Sequence, residues 1–89
     1  MSRDELARAA ELLYEAANQA DNEGRQQRLE HQAEEFVALA DADRGPDHGK
    51  LARHEHILSE LATEEAGAAE SIETALTSIR AYRATIEGV

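Results

Sequence analysis

Apolar side chains recur along this chain at intervals of three and four residues with charged residues between them, the signature of helices that pack by one face. The first stripe runs Leu6, Ala9, Leu13, Ala16 or Ala17, and Ala20. Ser2 followed by Glu5 makes an S-x-x-E capping box, which predicts the start of this helix. A second stripe, Leu29, Ala33, Phe36, Val37 and Ala40, is out of register with it. Leu29 lies nine residues past Ala20, roughly two and a half turns at about 100° per residue. An unbroken helix would aim the two stripes at opposite sides, so a turn is predicted between them. Asp21, Asn22 and Gly24 supply its chemistry, because Asp and Asn bond to nearby backbone and Gly tolerates positive φ. The second helix then runs to about Ala42 or Asp43. Arg44-Gly45-Pro46 stops it: Pro46 disfavours helical geometry at Gly45, and Gly suits the left-handed position after a helix.

Asp47 is the natural N-cap of the next helix. From there one phase persists through Leu51, His54, Leu58, Leu61, Glu65, Ala68, Ile72, Ala75, Ile79, Tyr82 and Ile86, with only Glu65 out of character. Read as one helix, this stretch would be roughly 60 Å long at 1.5 Å per residue and would pair in coiled-coil style. Thr63, a potential cap, and Gly67, which costs up to about 1 kcal/mol in a helix interior, favour instead a kink or break near 63–67. Either way the fold class is all-α: an antiparallel bundle of three to four amphipathic helices in a single domain, 1–89, with the C-terminal helix long or kinked.

Composition thins the core that these stripes imply. Of 89 residues 42% are hydrophobic, but 18 of them are alanine and one is phenylalanine. Chains of this size are often marginal unless stapled, metallated or oligomeric, and with no cysteine there is neither a disulfide nor a thiolate metal site. Self-association is therefore the expected source of extra burial. The stripe Leu58, Leu61, Ile72, Ile79, Tyr82 and Ile86 is its expected interface, most simply as a homodimer.

Charge changes the picture further. Nineteen acidic residues face nine basic ones, for a formal net charge of -10. Such a chain repels phosphate backbones, which argues against nucleic acid as a partner, although an acidic surface can engage a basic protein. Eight of the nine basic residues are arginine and only Lys50 is lysine. This balance reads as adaptation to molar salt, where screening lengths fall to roughly 3 Å and self-repulsion fades. No apolar stretch approaches the ~20 residues of a membrane-spanning helix, and Met1 to Arg8 is not patterned as a signal peptide, so the expected compartment is the cytoplasm with no membrane partner.

Candidate chemistry is sparse. Gly45-Pro-Asp-His-Gly49-Lys50-Leu51 fails as a phosphate-binding loop: it lacks one residue between the glycines, a hydroxyl residue at position 51, and a preceding strand. Free amides at this helix start, with His48 and Lys50, are a weaker anion site. His31 with Glu34 or Glu35, and His56 with Glu60, share helix faces and could share a divalent cation if folding brought the pairs together with His54. The ordinary reading is solvated neighbours, with His54 a hydrogen-bonded histidine on the apolar stripe that makes assembly sensitive to pH. No cysteine and no Ser-centred elbow offers a nucleophile, and Ser59, Ser71 and Ser78 fall within helical pattern. Arg80, Arg83 and Tyr82 form a small cationic and aromatic patch, most simply arginines complementing a helix C-terminus.

At Pro46-Asp-His-Gly-Lys-Leu51 and Ile79-Arg-Ala-Tyr-Arg-Ala-Thr-Ile-Glu-Gly-Val89 the chain resembles a family of short acidic helical proteins of haloarchaea, known only as uncharacterised. The resemblance extends over most of the chain and implies a helical fold and a halophilic cytoplasm, with no activity, ligand or catalytic residue attached. The sequence thus points to a non-enzymatic, halophilic interaction or oligomerisation module with no cofactor. The competing readings are a divalent-cation-binding bundle using the His/Glu pairs, Glu60 included, and an acidic adaptor for an unidentified basic protein. Because self-repulsion is relieved by screening, helix content measured by circular dichroism is expected to rise as KCl is raised from dilute buffer to about 2 M. Full helicity without salt would refute salt dependence.

Overall fold

The computed structural model describes residues 3–86, and within them the chain forms four α-helices and one 3-10 turn. Helix α1 spans Asp4–Gln19, α2 Glu23–Asp41, α3 His48–Glu64 and α4 Ala69–Arg83, with the 3-10 turn at Ala66–Ala68. No strand occurs among the described residues. The first stripe packs as its period requires: Leu6, Ala9, Leu13, Ala16 and Ala17 are buried on α1, joined by Ala10 and Leu12. Ser2 of the predicted capping box lies outside the described residues. Arg3 occupies the N-cap position and makes no side-chain cap bond there.

The turn at 20–22 falls where the register conflict demanded it. Asn22 caps α2, its side-chain oxygen accepting from the Arg25 amide at 2.9 Å. Asp47 caps α3 in the same way, accepting from the Lys50 amide at 2.8 Å. Gly45 departs from its predicted role, since no glycine among the described residues has positive φ. A Cβ at Gly45 would stand 2.6 Å from the Tyr82 hydroxyl, so absence of a side chain there lets the α2–α3 loop close over the end of α4.

The long C-terminal stripe is not a long helix. It breaks after Glu64, turns through Ala66–Ala68 and folds back, so that α3 and α4 form an antiparallel hairpin. Arg83 near the end of α4 donates to His48 at the start of α3, Nε to Nδ1 at 3.1 Å, which places the two ends of the stretch side by side. The whole molecule is 38 Å in its longest dimension, too short for a 60 Å rod. One phase persists across the reversal because both halves face the same core. Gly67 fits the reversal: a Cβ there would lie 3.2 Å from the Gln19 carbonyl oxygen, where the hairpin turn presses on the end of α1.

Helix α1 packs against both α2 and α4, α4 packs against α3, and α2 and α3 meet only along a narrow seam. The core is Leu6, Leu13, Leu29, Phe36, Leu51, Leu58, Leu61, Ile72, Leu76 and Ile79, spread over all four helices with small alanines between them. Val37 departs from the predicted stripe, being 49% exposed while its neighbour Phe36 is fully buried. Truncating Ile72, buried at the start of α4, to alanine should destabilise the fold by about 2–5 kcal/mol, whereas Val37→Ala should change stability by less than about 0.5 kcal/mol. Chemical denaturation of the two variants checks this. Equal losses would contradict the assignment of core and surface.

Candidate functional site

The residues that carry polar chemistry fall into separate groups, each organised by a helix end or a helix face. At the junction of α1, α2 and the hairpin turn sits Glu65, 4% exposed. Its carboxylate accepts from the Asp21 backbone amide at 3.0 Å and from Arg25 Nη1 at 3.2 Å. The Asp21 amide, chiefly, holds the Glu65 carboxyl below its ordinary value; Arg25 adds to the effect and desolvation opposes it. Beside it Arg25 and Arg28 pair with Glu64 at 3.7 and 3.5 Å. The one residue out of character on the apolar stripe therefore ties the hairpin turn to the start of α2. Ser71 adds a further tie, donating to Gln19 Oε1 at 2.9 Å.

At the opposite end of α2, Arg3 donates through Nη1 to the carbonyls of Leu39 and Ala42 and through Nη2 to that of Asp43. The Leu39 and Ala42 carbonyls are among those that a helix C-terminus leaves without partners, and α2 has no basic residue of its own in its last turn.

The four histidines do not converge. His31 and Glu35 form an exposed pair on α2 at 3.8 Å, and His56 and Glu60 an exposed pair on α3 at 3.3 Å. Glu34 stands on the exposed surface of α2. His48 accepts from Arg83. His54 is buried in the α2–α3 seam, its Nδ1 2.7 Å from Gln32 Oε1 and its ring edge-on to Phe36 with centroids 4.9 Å apart. Because Gln32 presents a carbonyl oxygen there, the bond assigns the proton of neutral His54 to Nδ1. No group of three or more His, Asp or Glu side chains that could hold a metal ion occurs among the described residues. The Asp47 side chain already occupies the Lys50 amide at the start of α3, so the anion reading of that helix start gains no support.

The apolar stripe assigned to self-association is largely consumed by the chain itself. Leu58, Leu61, Ile72 and Ile79 are fully buried in the monomer core, while Tyr82 and Ile86 pack against its edge. The patch read at Arg80 and Arg83 is neutralised across the hairpin by Glu55, which pairs with Arg83 at 3.0 Å and Arg80 at 3.5 Å.

Two surface openings bear on function. One lies in the α2–α3 seam, about 330 Å³, lined by Gly24, Gln27, Arg28, His31, Gln32 and Ile57. The other, about 450 Å³, is an open groove between α1 and α2, where Ala7, Ala10 and Ala40 lie between Tyr14 and Val37 and Arg3, Asp4, Glu11 and Asp41 complete the lining. Tyr14 and Val37 are the exposed large hydrophobic residues among those described, at 41% and 49%, and both belong to this groove. Sequence patterning misses it by counting Val37 on the buried stripe. The available signal is that Phe36 and Val37 are adjacent and about 100° apart, so a narrow stripe cannot bury both.

Residues 1–85 match the model of DUF7553, a family of unknown function. No curated protein and no solved structure matches the chain.

Two titrations shape the expected pH dependence. Burial, first of all, lowers the pKa of His54 from its ordinary 6.5; Lys50, Arg53 and His31 lower it further and Glu35 opposes them. The native state thus prefers neutral His54, and the stability this represents is present above pH 6.5 and lost as pH falls below it toward the lowered native value. Glu65, also lowered, contributes stability above its ordinary 4.5 that is lost as pH falls through its native value. Thermal melts are expected to show two successive losses on acidification. His54→Gln should remove the upper one and Glu65→Gln should weaken the lower one. A flat profile from pH 7 to 5 in the unsubstituted chain would contradict the His54 assignment.

Proposed function

We propose that this chain, which belongs to the DUF7553 family, is a non-enzymatic interaction module of a halophilic, haloarchaeal cytoplasm, and that its contact face is the groove between α1 and α2. A single observation carries the reading: the two exposed large apolar side chains among the described residues, Tyr14 and Val37, line one groove instead of being scattered. Exposed apolar residues occur singly on any surface, whereas a shared apolar groove rimmed by polar groups marks an interaction site. The halophilic setting is supported by the net charge of -10 and by arginine outnumbering lysine eight to one. Of the interaction readings, association through the heptad stripe loses its main surface, because four of its six residues are interior. Cation binding lacks a convergent donor set among the described residues.

A photo-crosslinking side chain placed at Val37, and separately at the exposed Glu73 of α4, tests the assignment in cells held at native salt. Crosslinks to a discrete species from Val37 and not from Glu73 are expected. Equal yields from the two positions, or none from Val37, would overturn it.

A further inference from the structure

The groove's lining also constrains what enters it. Along α1 the lining runs from Arg3 to Tyr14, about 16 Å at 1.5 Å per residue, or three helical turns. Ala7 and the half-buried Ala40 present only methyl groups beside the larger side chains, over the buried Ala10, which leaves room for a partner's backbone to approach closely. Tyr14 and Val37 offer apolar contact on the two sides. An open trough of that length with apolar walls matches an amphipathic helix of about three turns laid along it.

The rim specifies charge. Arg3 is the one cation in the lining, and its guanidinium is occupied by the carbonyls that end α2. Three carboxylates, Asp4, Glu11 and Asp41, complete it. Elsewhere on the molecule Glu35, Glu55, Glu60, Glu64 and Glu65 each face a histidine or arginine of the chain itself, while Glu5, Glu15, Glu23, Glu30, Glu34, Glu70 and Glu73 form no ion pair among the described residues. Glu11 and Asp41 likewise form no ion pair among the described residues, so the groove shares the negative charge of the acidic surface and adds to it the exposed Tyr14 and Val37. A second copy would bring the same carboxylates against themselves, and its own surface is acidic, with 19 acidic residues to 9 basic. Like charges brought face to face disfavour that pairing.

We infer that the α1–α2 groove receives a basic amphipathic helix of another protein, with an apolar residue seated between Tyr14 and Val37 and arginine or lysine side chains reaching Glu11 and Asp41. This rests on the groove being the contact face. At molar salt, long-range attraction is screened and only close ion pairs persist, so the apolar anchor supplies most of the affinity and the rim supplies selectivity. That division sets the order of effects: loss of the anchor contact outweighs loss of one carboxylate.

The test uses the full chain, isotopically labelled, in about 2 M KCl. The probes are two synthetic amphipathic peptides of about 14 residues sharing the same leucine face, one flanked by arginine and one by glutamate. Shifts in the resonances of Ala7, Tyr14, Val37 and Ala40 on titration with the arginine peptide are expected, with saturation. Val37→Asp should weaken that binding by at least about tenfold, and Asp41→Lys by roughly threefold to tenfold. Glu73→Lys on α4 should leave it unchanged, and circular dichroism confirms that each variant is folded. Equal binding of the two peptides, or sedimentation showing a dimer that Val37→Asp abolishes, would overturn the basic-helix assignment while leaving the groove as contact face. Shifts confined to other surfaces, or none at all, would overturn both.

Discussion

Both ends of helix α2 are held by charged side chains from distant parts of the chain. It buries Leu29, Gln32, Ala33 and Phe36 over 19 residues, with Leu39 and Ala40 packed against the core. At its start, Glu65 accepts from the Asp21 amide and draws in Arg25. At its finish, Arg3 bonds the carbonyls of Leu39, Ala42 and Asp43. The anion sits at the end where the macrodipole is positive and the guanidinium at the end where it is negative. Both also occupy backbone groups at the helix ends, which otherwise depend on water for their partners. The same Glu65 terminates α3, so the position of α2 and the reversal of the hairpin are coupled through one carboxylate.

That coupling explains which parts of the architecture are legible in the sequence. The turn at 20–22 is legible because two stripes of conflicting phase cannot share one straight helix. The start of α3 is legible because Asp47 comes directly after a glycine-proline stop and caps by local geometry. The hairpin is harder. A heptad phase reports which side chains face a core, and two antiparallel helices flanking one core preserve it as well as a continuous helix does. The discordant Glu65 is the informative residue: a carboxylate at a core position either destabilises a helix or ends it where a donor is waiting. Its donor, the Asp21 amide, lies 44 positions away, and no periodicity reaches that far. Arg3 is illegible for the same reason, since its acceptors are backbone carbonyls, which carry no residue identity. Among the candidate site residues, the His31–Glu35 and His56–Glu60 pairs form as their spacing predicts. Whether they meet depends on the angle between helices, which spacing along one helix does not encode.

The bundle is closed unevenly. Helix α1 contacts α2 and α4 chiefly through alanines and leucines, but the α2–α3 seam is joined by His54 with Gln32 and Phe36 and by arginines facing Glu64 and Glu65. A polar seam depends on its environment in ways an apolar one does not. Burial of His54 there favours its neutral imidazole, and the seam's exposed ion pairs add little each, because such pairs are worth about 0–1 kcal/mol and salt screens them. With a surplus of ten negative charges, however, screening acts chiefly on the repulsion among unpaired carboxylates. For this chain added salt is therefore expected to remove more destabilisation than stabilisation.

The way the core is assembled also decides which apolar side chains stay on the surface. A thin, alanine-rich chain has two routes to adequate burial: pair its stripe with another copy or fold it onto itself. The hairpin takes the second route, placing Leu58, Leu61, Ile72 and Ile79 in the interior, and the stripe is no longer on offer. The proposed recognition then has to use residues that the core period leaves over. Tyr14 and Val37 are such residues, each one position past a fully buried Leu13 or Phe36, so each is turned about 100° out of the core. Because α1 and α2 are antiparallel neighbours, those two off-period side chains fall on one groove. The same packing that hides the stripe thus creates the apolar surface that remains.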